Sequence, residues 1–267
     1  MRIALPALAA TVERRLLINY RVDPAVAQSL LPASLRPQLV DGSAVAGVCL
    51  LRLGALRPAW FTPQVGWGAE NAAHRIAVEW DDEAGTHPGV YIPERHSASR
   101  FPVAAGGRLF PGVHTLARFD VSEQFDGSAQ FDGSAQLDGS AAGDRIRLSM
   151  TAPNATVRAD VRVGTAWTST LFGTLADASA FFQDGAVGWS PSRDGRRLEG
   201  LRLDTTAWAV QPGEALSVES SFFDALPAGS ATLDSVLVMR NVPITWTVPA
   251  GTAPAGPALA MAATTVD

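Results

Sequence analysis

The chain has 267 residues, 47% hydrophobic and 18% charged, so it can bury a sizeable core, and global disorder is excluded. Its formal net charge of −5, with no basic run, makes nucleic acid a poor partner. The single cysteine, Cys49, excludes an intrachain disulfide and points to a reducing, cytoplasmic setting.

The short apolar run at the start, MRIALPALAA, reads as the lead-in to a strand, and no stretch reaches the roughly 20 apolar residues of a membrane helix. Residues 12–22 (TVERRLLINYR) form the first predicted strand, with Leu16, Ile18 and Tyr20 on one face and Arg15, Leu17 and Asn19 on the other. Asp23-Pro24 supplies a helix N-cap followed by proline at the first helical position, predicting a short helix over 24–31 that stops before Pro32. Residues 44–53 (AVAGVCLLRL) read as a fully buried strand in which Cys49 is a small hydrophobe. A proline-rich loop over 56–65 carries Trp60.

The strand predicted over 71–80 closes in the acidic turn Asp81-Asp82-Glu83, a solvated hairpin rather than a metal site. Segments 88–93, 113–121, 145–151 and 155–163 are further strands. Among them lies a six-residue repeat, FDGSAQ-FDGSAQ-LDGSAA, from Phe125 to Ala142, within an insertion spanning 123–143. Its Asp-Gly pairs favour tight turns, so it reads as an expanded hairpin loop; its period does not fit calcium-binding repeats. Thr174 to Asp177 resembles a capping box opening a helix over 175–183. Strands return over 198–210, 215–223, 235–240 and 243–248, and the Ala/Gly/Pro/Thr-rich residues 250–267 read as a disordered tail. Many strands, two short helices and no βαβ rhythm predict a β-rich fold, a mostly antiparallel barrel or sandwich in one domain over 1–249.

Residues 66–101 hold three of the four histidines and a dense set of Glu and Arg. The spacing lacks an H-x-E-x-x-H-type ligand set, so no metal is assigned, and His96 is read as a titratable group at a pocket mouth. Ser97 and Ser99 lie outside any G-x-S-x-G elbow. Phe101, Trp67 and Trp208 are candidate pocket walls. All 21 basic residues are arginine, which stays protonated and cannot act as an amine nucleophile.

Residues 19–35 (NYRVDPAVAQSLLPASL) resemble the opening motif of the acetoacetate decarboxylase-like superfamily, in particular its YqjF-like bacterial branch, a domain of unknown function. GAENAAHR, VYIPERHSASR with GGRLFPG, Ala180-Phe181-Phe182 and Leu233-Asp234-Ser235 follow in the matching order, over roughly 12–248. The resemblance implies a closed, largely antiparallel barrel around a deep pocket. In the decarboxylase a lysine pair forms an imine with a β-keto acid beside a glutamate and an arginine. Aligned motif by motif, Glu70 falls on that glutamate, Arg100 on the imine lysine, Phe101 on its neighbour, and Arg14 or Arg15 on the arginine.

This alignment gives Glu70 and Arg100 as the catalytic expectation, with Arg15, His96 and Phe101 as ligand-binding residues. Glu70, desolvated in an apolar barrel, would move a proton; alternatively it forms a structural salt bridge with Arg100 or Arg75. Arg100 would hold a carboxylate or oxyanion through its planar fork, or else pair with Glu94 or Glu70. The implied function is a small-molecule pocket without metal, nucleotide or other cofactor. It takes an anionic or carbonyl-bearing ligand, either as a cofactor-independent lyase, isomerase or hydrolase or as a non-catalytic binding barrel. A third alternative is a structural protein whose pocket is filled by side chains. No membrane partner is expected, and homo-oligomerisation is left open.

Overall fold

Several of the strands carry apolar side chains on both faces, which only a sheet covered on both sides can bury. A computed structural model, describing residues 7–63, 65–105, 111–126, 142–249 and 254, has this arrangement. In chain order the strands are β1 (Leu8–Val22), β2 (Arg36–Pro37), β3 (Leu39–Val40), β4 (Ser43–Pro58), β5 (Trp67–Asp82), β6 (Gly85–Ser97) and β7 (His114–Leu116). They continue with β8 (Arg118–Gln124), β9 (Arg145–Thr151), β10 (Thr156–Val163), β11 (Val187–Pro191), β12 (Leu198–Asp204), β13 (Gln211–Ser220) and β14 (Ala231–Thr247). The helices are α1 (Pro24–Ser29), α2 (Arg100–Ala105), α3 (Leu175–Asp184) and α4 (Ser221–Asp224).

Strands β1, β4, β5, β6, β11, β12 and β14 are hydrogen-bonded neighbours in that order, and β14 pairs back onto β1, linking seven strands into a ring. The pairings are antiparallel except for β6 with β11 and β6 with β7. Strands β13, β10, β9 and β8 extend the sheet from β14 and fold back over the ring. One apolar cluster lies inside the ring with α3 and includes Val12, Leu17, Cys49, Ala77, Phe182 and Met239. The other fills the space between the ring and the extension, with Leu16, Ile18, Tyr20, Ile76, Met150 and Val157. The two faces read from β1 are thus the two sides of the barrel wall.

Local sequence explains where elements begin. Asp23 accepts from the amides of Ala25 and Val26 to cap α1, with Pro24 at its first turn. Thr174 and Asp177 form a reciprocal capping box on α3. Asp41 and Gly42, both at positive φ, make the two-residue turn that joins Val40 to Ser43.

The predicted α1 and α3 are present, and two further helices add to the two expected. The strand expected through Phe223 stops at Ser220, because Phe223 stacks on Tyr20 with ring centroids 3.8 Å apart, seated by the turn of α4. The strand expected over 113–121 splits where its partner changes from β6 to β9. Strand β11, buried at Gly188 to Ser190, was not anticipated. Most of the hexapeptide repeat and almost all of the expected tail lie outside the described residues. Among the described residues no helix is long and apolar enough to cross a membrane.

Candidate functional site

The ring encloses a cavity of about 240 Å³ to which all seven of its strands and α3 contribute. Its chemistry follows from strand parity. Arg15 and Leu17 share one face of β1, Cys49 and Leu51 one face of β4, and Ala73, Arg75 and Ala77 one face of β5; these faces point inward. Arg95 joins them from β6, and Phe181 and Phe182 from α3 close one side.

The cavity is cationic. Arg15, Arg75, Arg95 and Arg202 line it, whereas Asp204 is the lining carboxylate among the described residues. Asp204 is already engaged, accepting from Arg202 Nε at 2.8 Å and from Thr247 at 3.3 Å. Arg75 is 3% exposed and donates to Asn19 Oδ1, and its guanidinium lies over the Phe182 ring at 4.5 Å. Asn19 in turn donates to Ser235 at 3.2 Å, so two motifs distant in sequence hold this arginine. Gly47 makes room for it: a Cβ there would lie 2.3 Å from the Ile18 carbonyl oxygen and 3.3 Å from Arg75 Nη2. Arg95 donates to Ser190 at 3.0 Å, and Arg15 Nε to Cys49 Sγ at 3.1 Å.

Arg75 Nε and Arg95 Nη2 are buried without a hydrogen-bond partner. Burial pulls both guanidinium groups down to about 10; nearby Cys49 opposes the fall, and for Arg75 the charge of Arg15 adds to it. Buried donors of this kind call for an acceptor, and an anion that brings two or more oxygens can supply it.

The structure separates the residues aligned with the decarboxylase. Glu70 lies on the outer face of β5. It accepts from Arg14 Nη2 at 2.5 Å and from Arg52 Nη1 at 3.4 Å, and Arg14 also pairs with Glu123. Arg240 completes the cluster on Glu123 at 2.5 Å. Burial tends to raise the Glu123 carboxyl, but its pairs with Arg14 and Arg240 outweigh this and hold it below the usual range. The salt-bridge alternative for Glu70 is therefore what occurs, with Arg14 and Arg52 in place of Arg100 or Arg75. Arg100 is exposed at the start of α2 and does not line the cavity. The expected convergence of Glu70 and Arg100 on one cavity is corrected: a strand wall lies between Glu70 and the pocket. The register left open at the first strand resolves by face, Arg14 pairing with Glu70 and Arg15 lining the cavity. The Phe101 side chain lies outside the described residues. Trp208 lines the cavity, donating to Ser179 at 2.9 Å, whereas Trp67 does not line it.

His96 is buried on the outer face with His74 and Glu94, and one donor atom from each lies within 4.8 Å of the others. These residues could hold a metal, although their linear spacing gave no such signal. Arg75 and Arg95 are the cavity residues that sequence reasoning undervalued. Each follows a residue facing the other side, His74 and Glu94, so alternation from the inward-facing Arg15 was the available signal.

Comparison with curated proteins finds no match. Among solved structures, the enduracididine biosynthesis enzyme MppR complexed with pyruvate superposes with a TM-score of 0.60 at 16% identity, covering 96% of this chain and 93% of that one. An acetoacetate decarboxylase-like enzyme from Sphingomonas wittichii RW1 gives 0.58 at 15%, covering 96% and 95%. Acetoacetate decarboxylase from Legionella pneumophila gives 0.53 at 14%, covering 96% and 88%. The fold is therefore acetoacetate decarboxylase-like. A family model matches residues 9–242, and the chain accordingly belongs to DUF2071, a family described as an uncharacterized conserved protein.

Proposed function

We propose that the barrel cavity binds a small anionic metabolite, a carboxylate or oxo acid, held by Arg15, Arg75 and Arg95. The observation that carries this reading is the excess of arginine over carboxylate around one cavity, with Arg75 Nε and Arg95 Nη2 buried and without hydrogen-bond partners. The volume of about 240 Å³ lies near the small end of ligand pockets and suits a short acid better than a nucleotide. MppR was solved with pyruvate, which makes a 2-oxo acid the natural first probe.

The chain has no lysine, so a bound carbonyl meets no side-chain amine and borohydride traps no lysine adduct. Turnover as a cofactor-independent lyase, isomerase or hydrolase would draw on Cys49 and Asp204, the cavity groups able to carry a proton, rather than on Glu70. With Asp204 already paired, binding without turnover is the reading the geometry supports best.

Calorimetric titration and thermal shift across short keto acids, dicarboxylates and their neutral amides test this reading. Acids should raise the melting temperature and the matching amides should not. Equal responses to acid and amide, or none to any acid, would sink it.

A further inference from the structure

On the outer face of the same two strands, His74 and Glu94 sit opposite each other in the β5–β6 ladder, with His96 two residues further along β6. His74 Nδ1 lies 3.7 Å and His96 Nε2 3.9 Å from Glu94 Oε2. Both separations are less than twice a zinc–ligand bond of roughly 2.1 Å. The three donor atoms lie within 4.8 Å of one another, so a small contraction of the side chains lets one ion reach all three. The two imidazoles are 0% and 1% exposed.

His74 Nδ1 is buried without a hydrogen-bond partner, while its Nε2 lies 3.2 Å from Ser220 Oγ. A proton on Nε2 donated to Ser220 leaves the Nδ1 lone pair free toward Glu94, the arrangement in which a hydrogen bond on the far nitrogen orients a metal-binding histidine. The ring is also fixed by stacking on Phe222, with centroids 4.7 Å apart. Asn154 stands beside the group: its Oδ1 is 3.4 Å from His96 Nε2, and its Nδ2 donates to Glu94 Oε1 at 3.3 Å. Asn154 is exposed, and the Glu94 side chain keeps 11% of its surface open to solvent.

We propose that His74, Glu94 and His96 form a binding site for a divalent transition-metal ion such as zinc, with Asn154 orienting the carboxylate or adding its amide oxygen. Two imidazoles and one carboxylate suit zinc better than calcium or magnesium, which prefer all-oxygen sites. Neutral imidazole is the form of histidine that binds metal, and an ion would compensate the charge of the largely buried Glu94 carboxylate. The site bridges β5 and β6 where their register shifts between His74 and Ile76. It is separate from the cavity, but it clamps the strands that carry Arg75 and Arg95.

The test uses the full chain, stripped with a chelator and titrated with zinc against a chromophoric competitor, then with cobalt, whose visible bands report tetrahedral ligation. One equivalent should bind, and free zinc should raise the melting temperature. Glu94→Gln, which keeps the shape of the site, and His96→Ala should each weaken zinc by at least about 100-fold. Asn154→Ala should weaken it by about 10-fold, as for an outer-shell partner. His87→Ala should leave binding unchanged, since its surface contact with Asp82 is the competing explanation. Zinc bound equally well by Glu94→Gln, lost in His87→Ala, or absent at millimolar concentration would overturn the proposal. Glu94→Gln is the primary variant because removing His74, wholly buried against Phe222, also opens a cavity.

Discussion

Replacing Arg75 by methionine separates a ligand-binding arginine from a structural one. The fall of this guanidinium to about 10 corresponds to roughly 3 kcal/mol opposing the charged form in the folded protein. Because the folded value lies below the unfolded one, the penalty applies throughout the neutral range and fades only as the pH rises through and above about 10. Methionine removes it. The losses are the charge-assisted hydrogen bond to Asn19, about 1.5–3 kcal/mol, and the contact with the Phe182 face, about 1–2 kcal/mol. The two sides largely offset, so Arg75→Met should change unfolding stability by no more than about 2 kcal/mol, and toward lower stability if at all. Affinity for a short acid should fall by about 2–4 kcal/mol, roughly 30- to 1000-fold, as when one partner of a buried charged contact is truncated. Urea unfolding and calorimetric titration with pyruvate read the two quantities on the same protein. A loss of stability well above about 2 kcal/mol with unchanged acid affinity would refute the reasoning and make Arg75 a strut of the wall.

Arg14→Met should act in the opposite way, costing about 3–5 kcal/mol in denaturant unfolding. It leaves Glu123 to Arg240 alone and Glu70 to the half-exposed Arg52; little effect on acid binding is expected, because Arg14 faces away from the cavity. Asp234→Ala should cost about 2–3 kcal/mol, since the carboxylate accepts from Ser169, Thr170 and Leu171 and pins the approach to α3. Burial tends to raise the Asp234 carboxyl, but these donors lower it overall. Its contribution is therefore present at neutral pH and lost as the pH falls through the folded value, so wild type and variant should converge in stability in acid. Deleting one repeat copy, Phe131 to Gln136, should leave the melting temperature nearly unchanged, because closing the loop between β8 and β9 depends only weakly on its length; a loss above about 2 kcal/mol would mean that the repeat packs in the core.

The sequence by itself determined much of the local structure. Asp23-Pro24 and the Thr174–Asp177 box encode α1 and α3 through backbone capping. Alternation along β1 assigned Leu16 and Ile18 to one side and Arg15 and Asn19 to the other, because the pleat fixes parity within a strand. The order of the motifs pointed to the superfamily fold. Parity does not say which side becomes the inside of the barrel, nor which residues of other strands arrive there. Glu70 shared a motif with Arg75 and matched a catalytic position, yet an odd separation in one strand put them on opposite sides of the wall. Closure of β14 onto β1 decided the rest. It brought Arg15, Arg75 and Arg95 around one cavity, and the β5–β6 pairing set Glu94 against His74, contacts that arise only when residues far apart in the chain are hydrogen-bonded into register.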